Sequence, residues 1–317
     1  PYPLRSPAIV PTIPARHKTQ AMNEIPLSSL PPSPPGLARR IFRSPPLRII
    51  ILGFILVLML TLTTDILTIY ATNPGKSDLH IIALAIAGFA IYLTYARSVE
   101  QREATELSTK GMYRELGLGL LIGAGLYTAS VLVLMALGVY KINGLNPWTL
   151  LLPAVSMAIS SGVFEELLFR GVLFRSVETW FGTWAGLVVS SVAFGLVHLI
   201  NPEATLEGAI FIAIEAGILL AAAYILTRRL WLSMGFHMAW NYTQSAVFSG
   251  IVSGNEAADG LIQSTVKGPD ILTGGKFGVE SSIVALILCT STGIALVILA
   301  LKRGKFIPPI WKRQRTV

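Results

Sequence analysis

Eight runs of mostly apolar residues divide the chain, at about 47–70, 79–96, 115–140, 149–170, 183–200, 207–226, 230–249 and 281–301. A helix crossing the hydrocarbon core needs about 20 such residues. The pattern therefore predicts an all-α, polytopic transmembrane bundle of about eight helices over 47–301. Short connections between 183–200, 207–226 and 230–249 predict antiparallel neighbours. Ala213, Gly217 and Ala221 recur at intervals of four, as do Gly119 and Gly123. That spacing lets helix backbones approach closely in lipid and reads as packing.

The connections are unequal. Residues 1–46 hold 12 of the 19 prolines and no long apolar run, which predicts a disordered cytoplasmic tail. The stretch of about 250–280, with seven glycines and four acidic residues, is the one long loop between helices. It reads as a mobile linker rather than a cap. Residues 302–317 form a short basic tail.

Composition agrees with a membrane protein: 53% of residues are hydrophobic and 13% charged, against about 25% charged in soluble domains. The net charge of +8 does not point to nucleic acid, because the cations lie between the apolar runs. With the N-terminus inside, 21 Lys and Arg are cytoplasmic, and only Lys76, Lys141, Lys267 and Lys276 are external. This follows the positive-inside rule and predicts both termini in the cytoplasm, with the plasma membrane as the expected location. Trp148, Trp180, Trp184, Trp231 and Trp311 fall near the predicted interfaces. The one cysteine, Cys289, excludes an intramolecular disulfide and a cysteine zinc site, and reads as a small buried residue.

A charged side chain at the centre of a membrane helix costs at least about 2.5–3.5 kcal/mol, so each intramembrane polar group calls for a reason. Glu165 and Glu166 are adjacent, and Glu166 can pair with Arg170 four residues on. On an α-helix Glu165 lies about 100° away and cannot point at the same partner. Phe194 and His198 share a face of the fifth span, and His237 and Asn241 share a face of the seventh. Converging in a bundle, these groups suit water activation by a carboxylate and a histidine, with a His/Asn pair donating to an oxyanion. Asp65 and Glu215 fit no such pattern and read as polar packing groups.

The three segments resemble the signature motifs of an intramembrane protease family. It includes the type II CAAX prenyl endopeptidases and the bacteriocin-processing or self-immunity (CPBP, or Abi) proteins. The family pattern of Glu-Glu-x-x-x-Arg, Phe-x-x-x-His and His-x-x-x-Asn is met at Glu165, Glu166 and Arg170, at Phe194 and His198, and at His237 and Asn241. The resemblance covers about 149–249. It implies that Glu165 activates water with help from His198, that His237 and Asn241 form the oxyanion site, and that Glu166 with Arg170 is a supporting pair. The implied substrate is a peptide or membrane protein, lipidated or not. It would enter from the cytoplasmic side, towards which Glu165 and His237 lie on simple spans.

His198 is awkward. A straight fifth helix from 183 places it at the opposite end, which predicts a later start or a tilt, with about 171–186 as an interfacial segment. No cofactor is expected. The zinc alternative would use Glu165, His198 and His237 with one open position, but the helical zinc signature His-Glu-x-x-His is missing. The rival readings are a non-catalytic membrane scaffold and a proton-coupled transporter. Against the transporter, the sequence has no clear internal repeat and no evident break within the polar spans.

Overall fold

A computed structural model describes residues 44–69, 74–255 and 258–313. The proline-rich tail lies almost wholly outside them, as do residues 314–317. The predicted apolar runs fold as helices. They are α1 (Pro45–Ile69), α2 (Pro74–Ser98), α3 (Met112–Ala136), α4 (Pro153–Ser160) with its π-helical continuation, α5 (Arg175–Val197), α6 (Leu206–Ile212), α7 (Ile218–Thr227), α8 (Trp231–Tyr242) and, after a four-residue helix α9 (Asp270–Thr273), α10 (Ile283–Lys302). Two strands, β1 (Tyr140–Leu145) and β2 (Ile262–Val266), pair antiparallel.

Six described segments are long and apolar enough to cross a membrane. Two counting effects separate this number from eight. Trp148–Ile200 is continuous and holds two of the sequence runs. The run at 230–249 folds as the 12 residues of α8 followed by a 5-residue π turn, Thr243–Val247. The chain is thus an all-α polytopic bundle and an integral membrane protein. Its surface requires lipid: Phe54, Ile86 and Leu121 on the outer helices are 69%, 65% and 72% exposed, far more apolar surface than water tolerates.

The centre is formed by α7 and α8, in which Leu219–Leu226 and Leu232–His237 are buried without interruption. The small-residue spacings are the close crossings. A side chain at Gly119 or Gly123 would run into the α8 backbone at Leu232 and Phe236. One at Gly217 would meet Ser191 on α5, and one at Gly195 would meet Ala213.

At the basic end, ion pairs lock the loops. Arg102 and Arg175 both grip Glu106 (2.7 and 2.9 Å), and the Tyr92 hydroxyl donates to it (2.6 Å). Arg228 grips Glu178 at 2.8 Å, and Arg229 pairs with Glu115. α5 breaks at Gly182 (φ 81°). A Cβ there would strike the backbone of Ile307–Pro309, so the C-terminal segment sets the break. It falls inside the predicted interfacial stretch, while the helical run leading to His198 still begins at Thr183.

The 250–280 stretch is not a free linker. β2 pairs with β1, and the Leu261 N–H donates to the Ala246 carbonyl (2.7 Å). The Asn201 side chain donates to the Ser253 carbonyl (2.6 Å), and the Gly254 N–H donates to the Phe277 carbonyl (2.9 Å). Glycines mislead here. Gly254, Gly274 and Gly278 adopt positive φ in tight turns and do not mark mobility.

Candidate active site

The twin glutamates sit where the helix widens. After α4 the chain is π-helical over Ser161–Glu165 and again over Leu167–Phe174. Such i→i+5 turns are rare and concentrate at functional sites. Gly162 lets this segment press on α8, since a Cβ there would meet the Met238 side chain and the Met234 carbonyl. Glu165 and Glu166 thereby lie beside His237.

Arg170 and Glu166 are both 0% exposed, and Nη1 lies 2.8 Å from Oε1. The second guanidinium nitrogen donates to the Gly217 carbonyl at 3.1 Å. The guanidinium also lies 4.7 Å from the Phe194 ring centre. Glu166 does more than balance Arg170. Its Oε1 also lies 3.1 Å from His237 Nδ1, and Glu165 Oε2 lies 3.9 Å from His237 Nε2. Arg170 pairs with Glu166, as the helical spacing predicts, while both glutamates also approach His237. The wider π turn reduces the rotation between successive residues, and an imidazole presents nitrogens on two sides.

These contacts fix tautomers. A carboxylate paired with arginine only accepts, so His237 donates Nδ1–H to Glu166. Its Nε2 then carries a proton only in the imidazolium. Similarly, His198 Nδ1 lies 2.6 Å from the Phe194 carbonyl, which can only accept. Neutral His198 therefore keeps its lone pair on Nε2. Phe194 spaces the two histidines, its ring centre 4.9 Å from His198 and 5.9 Å from His237. One Asn241 N–H donates to Ser161 Oγ at 2.9 Å, leaving the other free.

His198, His237 and Asn241 line one small cavity of about 20 Å³, enough for roughly one water. Glu165 is not on its wall. It reaches the cluster through His237, and its Oε2 is buried with no hydrogen-bond partner. Among the described residues, no three His, Cys, Asp or Glu side chains are grouped to hold a metal ion.

Two carboxyls outside the sequence pattern complete the cavity: Glu215 in the π turn Ala213–Gly217, and Glu280 just before α10. The intramembrane cost of a carboxyl was the available signal for Glu215. Glu280 gave none, because it sits in the glycine-rich loop. Asp65 is exposed on α1. Since Ser253 and Glu280 close the cavity, it lies towards the 250–280 end, not the basic end. The π-helical segments and the Gly182 break are interruptions that the apolar pattern did not reveal.

Residues 147–243 match the family model described as type II CAAX prenyl endopeptidase Rce1-like. The resemblance read from the three motifs is borne out over that stretch, which contains all seven motif residues. No curated protein and no solved structure matches the chain.

Proposed function

We propose that this integral membrane protein, with its type II CAAX prenyl endopeptidase Rce1-like stretch, is an endopeptidase that hydrolyses a peptide bond with activated water. The observation that carries this reading is His237 held between Glu165 and Glu166 beside a cavity it shares with His198 and Asn241. A base, a second histidine and two donors meet in a largely dry interior, where such groups act most strongly.

In this reading the Glu165 carboxylate takes one proton from water while His198 Nε2 accepts the other hydrogen and orients the oxygen. The water oxygen bonds to the scissile carbonyl carbon, and the C=O π pair moves onto oxygen. The oxyanion receives Nε2–H from the His237 imidazolium and the free N–H of Asn241. As the carbonyl re-forms, the C–N bond breaks and Glu165 returns its proton to the amine. Glu166 and Arg170 hold His237 in place. The substrate class is a peptide or membrane protein, and the likeness to type II CAAX prenyl endopeptidases makes a prenylated C-terminus the first to test.

No cofactor takes part in this scheme. Zinc on Glu165, His198 and His237 is the competing assignment, and chelation separates the two. The test compares membranes from cells carrying wild-type or Glu165→Gln protein. New protein termini should form only with wild type, and a chelator should not prevent them. Identical termini in both would favour a scaffold. Activity lost to chelation and restored by zinc would replace the metal-free scheme.

A further inference from the structure

Asn241 supplies one of the two oxyanion donors in the scheme above, and an amide serves there only if it is held. The last torsion of an asparagine side chain is broad. A loose amide would turn its oxygen, which repels an oxyanion, as readily as its nitrogen.

A residue outside the three motifs holds it. Asn241 Nδ2 donates to Ser161 Oγ at 2.9 Å, and Ser161 Oγ in turn lies 3.3 Å from the Ala158 carbonyl. A carbonyl only accepts, so the hydroxyl proton goes to Ala158 and Oγ faces Asn241 as an acceptor. An acceptor can meet only the NH2 side of the amide, which selects one of its two orientations. Asn241 is 7% exposed, so water is a poor substitute for this partner.

Ser161 can reach across because of its neighbour. A Cβ at Gly162 would strike the Met238 side chain, so glycine there lets the π turn come against α8. Ser161 opens that turn, Ser161–Glu165, and Glu165 ends it. One hydrogen bond therefore ties the segment that carries the base to the helix that carries His237 and Asn241.

We propose that Ser161 is a positioning residue for the oxyanion site, fixing the orientation of the Asn241 amide so that its uncommitted N–H serves the developing oxyanion. This rests on the endopeptidase reading. Ser161 itself touches no reacting atom, and its proton stays on Ala158 throughout.

The test uses the purified full chain in liposomes with a fluorogenic farnesylated CAAX peptide. Ser161→Ala should lower kcat by about 10–100-fold, the range for an outer partner that orients a functional group, with KM little changed. Asn241→Ala removes the donor itself and should cost about 10²–10³-fold. Adding Ser161→Ala to Asn241→Ala should lower kcat no further, because no amide remains to be held. Ser161→Thr keeps the hydroxyl and should recover most of the rate. An equal loss in both backgrounds would mean a merely structural role and overturn the proposal. So would wild-type kcat in Ser161→Ala, or a threonine variant no faster than the alanine one. A second measurement needs no turnover. With isotopically labelled asparagine, the Asn241 side-chain NH2 signal is identified by its loss in Asn241→Ala, and its hydrogen exchange with water should quicken in Ser161→Ala. Unchanged exchange would overturn the hydrogen bond. Should Asn241→Ala leave no measurable rate, the threonine variant and the exchange decide. A wild-type chain that leaves the peptide intact would instead count against the endopeptidase reading, with the exchange still testing the hold on Asn241.

Discussion

Replacing Arg170 with Met probes the anchor of the whole cluster. The guanidinium and the Glu166 carboxylate are fully buried and 2.8 Å apart. Removing the cation leaves a desolvated carboxylate with His237 Nδ1 and the Ser233 hydroxyl as its remaining partners, and it strips the Gly217 carbonyl of its donor. Breaking a buried pair from one side costs about 3–5 kcal/mol, a large part of the roughly 5–15 kcal/mol that holds a fold together. Glu166→Gln should cost less, because the amide oxygen still accepts from Arg170 and His237. The double variant removes both charges and should be far less unstable than the sum of the singles, with a coupling of about 2–3 kcal/mol. Unfolding in mixed micelles under increasing SDS measures all three. A cost for Arg170→Met below about 1 kcal/mol, or additive singles, would mean that the pair is hydrated and does not anchor His237.

Other outcomes follow from the packing and the charges. Burial alone would raise the pKa of Glu106, but Arg175, Arg102 and Tyr92 outweigh it and hold the carboxyl below its ordinary value. Its stabilising contribution is therefore present above the ordinary carboxylate pKa and disappears as pH falls through the lower folded value. The gap in Tm between wild type and Glu106→Gln should close on acidification, and a gap independent of pH would refute this. Gly123→Val should destabilise by about 1–3 kcal/mol by driving α3 off α8, checked by the same SDS titration. Lys267→Cys in the long loop should react with an impermeant maleimide from outside intact cells, with little background from buried Cys289. Labelling only after lysis would reverse the orientation.

The parts of the site that the sequence revealed are those that pay a visible membrane penalty. Glu165, Glu166, His198, His237 and Asn241 stand out because an apolar span has no ordinary use for them, and Arg170 follows from helical spacing. The helical character of the apolar runs and the close crossings at Gly119, Gly123 and Gly217 were legible because they are regular. What stayed hidden is irregular. Widening over Ser161–Phe174 leaves the apolar pattern intact, yet it brings both glutamates to His237. The folded loop owes its order to β1–β2 pairing and to turn glycines, which in sequence look like a linker. Glu280 therefore resembled a loop acid, although it closes the cavity.

The central claim is tested most directly by the rate at which the purified chain, reconstituted in liposomes, cleaves a farnesylated CAAX peptide before and after Glu165→Gln. Wild type should release a free amine-bearing fragment, and the variant, still inserted and folded, should be slower by about 10²–10⁴-fold, the contribution of a positioned base. Cleavage by the variant at the wild-type rate would contradict the account.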